Sequence, residues 1–189
     1  MTAKAKKTRF KNAPILYLVG FMGAGKTELG RRLAELLEWT LIDLDQEIEM
    51  RDGTTIREIF ERRGEAHFRA LERQELQRVS ERRHAVVAVG GGAFCSAENQ
   101  EIMARTGISV WLDAPMEVLF ARCRGESSRP LFTTVEEMAL LHERRRPYYA
   151  KADLHVQVAG QGVDDLAIQI RAALVDSLGP ARQRRSQKI

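Results

Sequence analysis

Cysteine, lysine and long apolar runs are all in short supply in this chain of 189 residues. The only two cysteines, Cys95 and Cys123, sit far apart. That excludes a disulfide framework and a zinc site of ordinary spacing, and suits a reducing, cytoplasmic compartment. The longest apolar stretch, Pro14 to Met22, is far too short to span a bilayer. The basic N-terminus has no apolar run of signal-peptide type. What is present is 44% hydrophobic and 30% charged residues, the composition of a globular domain with a real core.

Lysine is missing where it would matter for a polyanion partner. The formal net charge is +4 and the pI about 9.3, which invites a nucleic-acid reading. Nine of the 30 basic residues, however, lie in two tails without a single acid, residues 1–12 and 180–189. The body keeps 21 basic against 26 acidic residues, a net charge of −5, and only two of its basic residues are lysines. An acidic body between basic tails lacks the contiguous basic face that DNA or RNA requires. No specific nucleic-acid or membrane partner is expected, and the tails are expected to be mobile and solvated. The body's bias to arginine points instead to forked recognition of carboxylate or phosphate.

Apolar runs of strand length alternate with helical patterns. Strands are expected at 15–19, 40–44, 85–89, 108–112 and 153–158. Helices are expected over 26–37, 45–51, 55–63, 65–82, 97–104, from Pro115, 135–150 and 163–177. Asp52-Gly53 is a stop signal, and Thr55 with Glu58 makes a capping box. Five strands interleaved with helices predict an α/β fold with a parallel sheet, its ligands beyond the carboxyl ends of the strands.

Gly20 to Thr27, GFMGAGKT, matches G-x-x-x-x-G-K-[ST] between a strand and a helix. Backbone N–H groups of Gly23, Ala24 and Gly25 would cradle phosphates at the helix N-terminus. Lys26 would reach the β- and γ-phosphates, and the Thr27 hydroxyl would ligate Mg²⁺. The guanine-reading and Asp-Glu strand signals of GTPases and motors are missing, so the phosphate needs another acceptor. Asp43 and Asp45 at the end of the second strand are expected on one face, one serving Mg²⁺ through water and one an attacking hydroxyl. The bland alternative is that Asp45 caps the following helix. Gly90-Gly91-Gly92 would admit an oxyanion to the backbone, or simply be a turn. Arg69 shares a helix face with Glu72, where an ordinary surface ion pair is the competing reading. Arg144-Arg145-Arg146 would by default be a solvated helix end, and Arg129 lies in loop composition where an arginine can close over a phosphoryl group.

In order, GFMGAGKT, LIDLD, GEAHFRALE, VGGGA, SSRPL and RRRPYY resemble the shikimate kinases over nearly the whole body. The resemblance implies a three-layer P-loop kinase fold akin to the nucleoside monophosphate kinases. Its five-stranded parallel sheet would have the order 2-3-1-4-5, with a substrate-binding subdomain at about 44–73 and a lid near 124–135. It implies transfer of the γ-phosphate of ATP to the 3-hydroxyl of shikimate, with Mg²⁺, in the cytoplasm, by a monomer of one kinase domain, 13–179. By position, Lys26, Asp45 and Arg129 match catalytic residues. Asp45, Arg69, Gly91 and Arg145 match the substrate site, and Thr27 and Asp43 the metal site. Gly23, Ala24, Gly25, Lys26, Thr27, Arg122 and Arg129 match the ATP site, Arg122 stacking on adenine. Phe60 and Phe68 match apolar positions lining the substrate pocket, with core packing as the competing role.

Two features depart from the pattern. The loop continues Lys26-Thr27-Glu28 where the family usually has Lys-Ser-Thr, so a hydroxyl is lost and a negative charge gained, unless Glu28 faces solvent. The triple arginine makes Arg145 a matter of counting back from Pro147. The rivals are a gluconate-type kinase on the same fold, which has less need of Arg69, Arg145 and Asp45 together, and a catalytically silent homologue.

Overall fold

The apolar runs become strands because no polar residue interrupts them. In a computed structural model describing residues 15–124 and 134–178, Ile15–Val19 (β1), Ala85–Ala88 (β3) and Gly107–Asp113 (β4) are buried at every position. Strands of that kind need cover on both faces. Thr40–Asp43 (β2) and Leu154–Gln157 (β5) are less buried and form the two edges. All neighbours pair in parallel, in the order β2-β3-β1-β4-β5. The α/β class and the strand order expected from the sequence are those the chain adopts.

Seven helices supply the cover: Lys26–Leu37 (α1), Leu44–Asp52 (α2), Ile56–Val79 (α3), Ala97–Thr106 (α4), Met116–Cys123 (α5), Val135–Tyr149 (α6) and Val163–Leu178 (α7). A short 3₁₀ turn, Ala93–Cys95, follows the three glycines. Helix α1 buries Leu29, Gly30, Leu33 and Ala34 toward the sheet, and burying one such leucine stabilises the fold by about 1.5–3 kcal/mol. Glu28 is exposed at its first turn, as one reading of the altered loop required. No helix among the described residues is long and apolar enough to cross a membrane.

Two local differences from the sequence expectation bear on the site. Strand β2 stops at Asp43, one residue short of the expected end, because the Asp43 carboxylate accepts the N–H groups of Asp45 (3.1 Å) and Gln46 (3.4 Å). Asp43 is thus the helix cap, and Asp45 sits in the first turn of α2 rather than on the strand. The expected helices at 55–63 and 65–82 are both present and meet in a bend at Gly64 (φ 77°, ψ 171°) without a loop between them, so together they make up α3, but the second ends at Val79 rather than at 82. A residue with a side chain adopts that backbone only under strain, so glycine is what permits the bend. The Thr55–Glu58 capping box starts α3, and Gly53 closes α2, both as expected. The tails at 1–12 and 180–189 and most of the expected lid, Arg129 included, lie outside the described residues.

Candidate active site

The carboxyl ends of β1, β2 and β3 open onto a cleft of about 790 Å³. Thr27 and Asp43 line one part of it; Asp45, Phe60, Phe68, Arg69, Glu72, Gly90 to Gly92 and Arg145 line the rest. Residues more than a hundred positions apart therefore face one space.

At the phosphate end the loop between β1 and α1 closes on itself. Lys26 Nζ donates to the carbonyls of Gly20 (3.0 Å) and Phe21 (2.9 Å), which holds the ammonium over the loop where phosphates would sit. Gly23 and Gly25 carry positive φ, and Ala24 is buried. The exposed Arg122 of α5 donates to the Gly23 carbonyl at 3.3 Å, so the residue matched to adenine stands beside the cradle. The Thr27 hydroxyl donates to Asp43 Oδ2 at 2.6 Å. A hydroxyl and a carboxylate brought together at a phosphate cradle are the hard oxygen donors Mg²⁺ takes, so these residues fit the ion. Among the described residues no cluster of three or more His, Cys, Asp or Glu could hold a metal.

At the other end two arginines flank the glycines. Arg69, on the part of α3 beyond the bend, donates to both oxygens of Glu72 (3.0 and 2.9 Å) and to Glu65 (3.2 and 3.0 Å). Glu72 is only 1% exposed, which rules out the ordinary surface ion pair that was the competing reading. Burial pushes its carboxyl up to about 7, against the pull of the Arg69 charge and helped by the neighbouring Asp45. Arg69 also lies over the Phe68 ring, 5.1 Å from its centre, and Phe68 packs on Phe60 with ring centres 4.7 Å apart. A side chain at Gly92 would stand 2.6 Å from the Arg69 guanidinium, so the backbone approaches the arginine as closely as only glycine allows. Asp45 lies against Gly90, its Oδ1 2.7 Å from where a Cβ would be, on the same side as Glu72.

The triple arginine is resolved by helix geometry. Arg145 is half-buried and lines the cleft, 5.9 Å from the Phe21 ring centre. Arg144 is exposed, and Arg146 turns to Asp113 at 3.5 Å. Counting back from Pro147 therefore picks the arginine that faces the site.

A family model described as shikimate kinase matches residues 22–175. The chain belongs to the shikimate kinase family. Members are ATP-dependent kinases. A shikimate kinase of Parasynechococcus marenigrum is 45% identical over 175 residues, 90% of this chain and 91% of the relative. The structure of a shikimate kinase from Acinetobacter baumannii in complex with shikimate superposes with a TM-score of 0.84 at 37% identity, covering 93% of this chain and 98% of that one. A gluconokinase from Sinorhizobium meliloti shares the fold alone, at 18% identity and a TM-score of 0.59, so the gluconate alternative is not favoured.

Four residues without a role assigned from the shikimate kinase motifs are also brought to the site. Glu72 was visible as the i+3 partner of Arg69, but not as a buried acid. Arg57 and Glu49 also line the cleft, and Glu49 accepts the Ile56 N–H at 2.9 Å, joining α2 to the start of α3. Tyr149 donates its hydroxyl hydrogen to the Gly91 carbonyl. Glu72 and Tyr149 end two of the matched motifs, but neither their burial nor their partners can be read from neighbouring residues.

Proposed function

We propose that the chain transfers the γ-phosphoryl group of ATP to the 3-hydroxyl of shikimate, giving shikimate 3-phosphate and ADP in the cleft described above. The observation carrying this reading is that Arg69, Arg145, Gly91 and Asp45 face the same cleft as the Thr27–Asp43 pair. An anionic polyhydroxy ring needs that set: a guanidinium fork for its carboxylate, a carboxylate for its hydroxyls, and a phosphate cradle within reach.

In the proposed mechanism, Arg69 and Arg145 bind the substrate carboxylate together with the backbone at Gly91. That grip fixes the ring so that the 3-hydroxyl meets the γ-phosphorus in line. Asp45 accepts the hydroxyl proton as the oxygen bonds to phosphorus, and the bond to ADP breaks with its electron pair leaving on ADP. Gly23 to Thr27 cradle the phosphates, Lys26 stabilises charge on the transferring group, and Arg122 stacks on adenine. Thr27 and, through water, Asp43 would hold Mg²⁺, which supplies charge neutralisation on the phosphates. Residues 44–73 form the substrate-binding subdomain, and Arg129 in the 124–135 segment closes over the phosphates. The same proposal has a cytoplasmic monomer acting on small molecules.

The test is a coupled ADP-release assay across shikimate, gluconate and nucleoside monophosphates. Turnover is expected with shikimate alone; activity confined to another acceptor would overturn the proposal.

A further inference from the structure

Tyr149 ends α6 one turn beyond Arg145, and its side chain is wholly buried. Its neighbour Tyr148 is 40% exposed, so the two tyrosines of RRRPYY have opposite surroundings. A phenol so buried has to find partners for its hydroxyl. Its partner belongs to the acceptor site: the hydroxyl donates to the Gly91 carbonyl, and the Arg145 charge lies near enough to oppose the effect of burial on it. The ring is fixed in turn against Trp111, with centres 6.1 Å apart. Arg145 Nη1 stands 3.4 Å from where a Cβ on Gly91 would be, so guanidinium and glycine backbone share one corner of the cleft.

We infer that Tyr149 is a positioning residue, a hydroxyl strut holding the Gly91 peptide beside the Arg145 guanidinium in the placement needed to grip a carboxylate. The inference rests on the proposed reading of Arg145 and Gly91 as substrate-binding groups. The strut joins elements that the chain brings together only through the fold: α6 and the loop after β3. A peptide fixed before substrate arrives spares part of the ordering that binding would otherwise require. The Gly91 carbonyl, held by the phenol, fixes its planar peptide, so the Gly92 N–H points away from the buried hydroxyl. Burial raises the Tyr149 hydroxyl well above its ordinary range despite the opposing Arg145 charge, so it remains a neutral donor at working pH.

The test compares shikimate with its primary amide, a neutral acceptor of the same shape, in the wild type and in Tyr149→Phe. The wild type is expected to have a KM for the amide at least about tenfold above that for shikimate, as loss of charge-assisted hydrogen bonds requires. Tyr149→Phe is expected to raise the KM for shikimate by about tenfold. It should leave kcat and the KM values for ATP and for the amide within about twofold, because the strut serves only the carboxylate grip. An unchanged KM for shikimate, or an equal rise for acid and amide, overturns the inference. So does a fall in melting temperature beyond about 10 °C, which would mark the hydroxyl as a prop of the fold alone. If the wild type itself does not distinguish acid from amide, the carboxylate grip is wrong and the failure lies in the proposed function.

Discussion

In the phosphate cradle the charged side chain is held by backbone; in the acceptor cleft charged side chains hold one another. Lys26 rests on two carbonyls of its own loop, within six residues of chain. Arg69 rests on the buried Glu72, Glu72 feels Asp45 and Arg145, and Tyr149 feels Arg145 in turn. The contrast teaches where coupling should appear. A cradle built from main chain keeps its shape when one side chain is changed. A cleft built from mutually paired charges redistributes its electrostatics whenever one member is lost, so substitutions there should not add.

The largest expected break comes from Asp45→Asn, which keeps the shape of the cleft and removes the carboxylate. A fall in kcat by about a hundredfold to ten-thousandfold is expected, with the affinity for ATP nearly unchanged. Steady-state kinetics with ATP titration would check this, and retained turnover would remove Asp45 from the role of base.

Arg69→Ala should act on the other side of the comparison. We expect a rise of about tenfold to a hundredfold in the KM for shikimate with little change for ATP, since one guanidinium of the fork is lost. The same substitution leaves Glu72 buried without its principal counter-charge, so a measurable loss of thermal stability should accompany it. A KM for shikimate equal to that of the wild type would show that the arginine serves Glu72 and not the substrate.

The smallest effect concerns pH. The Glu72 carboxyl is raised by burial from 4.5 to about 7, so the folded protein binds a proton that the unfolded chain has given up. The contribution is fully present below 4.5 and is lost as pH rises through about 7. Glu72→Gln has no such proton to lose. The melting temperature of the wild type relative to this variant should therefore fall between these pH values. A constant difference would mean that Arg69 keeps the carboxylate ionised throughout.

The legibility of the two regions follows their construction. The cradle was readable because its eight residues, Gly20 to Thr27, are consecutive and their spacing carries the chemistry. The strands were readable because buried parallel strands are continuous apolar runs. Asp45 was located by motif but placed on the wrong element, because whether Asp43 ends a strand or caps a helix depends on which N–H groups its carboxylate meets. The burial of Glu72 was not legible, because i+3 spacing with Arg69 reports a shared helix face and not what covers that face. Arg145 could be singled out from Arg144 and Arg146 only by matching a pattern.

By itself, then, the sequence determined the α/β alternation, the phosphate loop and the order of the motifs, all of which rest on near neighbours and periodicity. The tertiary structure alone decided that Glu72 is buried beside Arg69, and that Arg145 rather than its neighbours turns inward with Tyr149 behind it. Those outcomes depend on helices crossing a sheet at particular places, and burial is a property of what lies opposite a residue rather than of the residue or its neighbours in the chain.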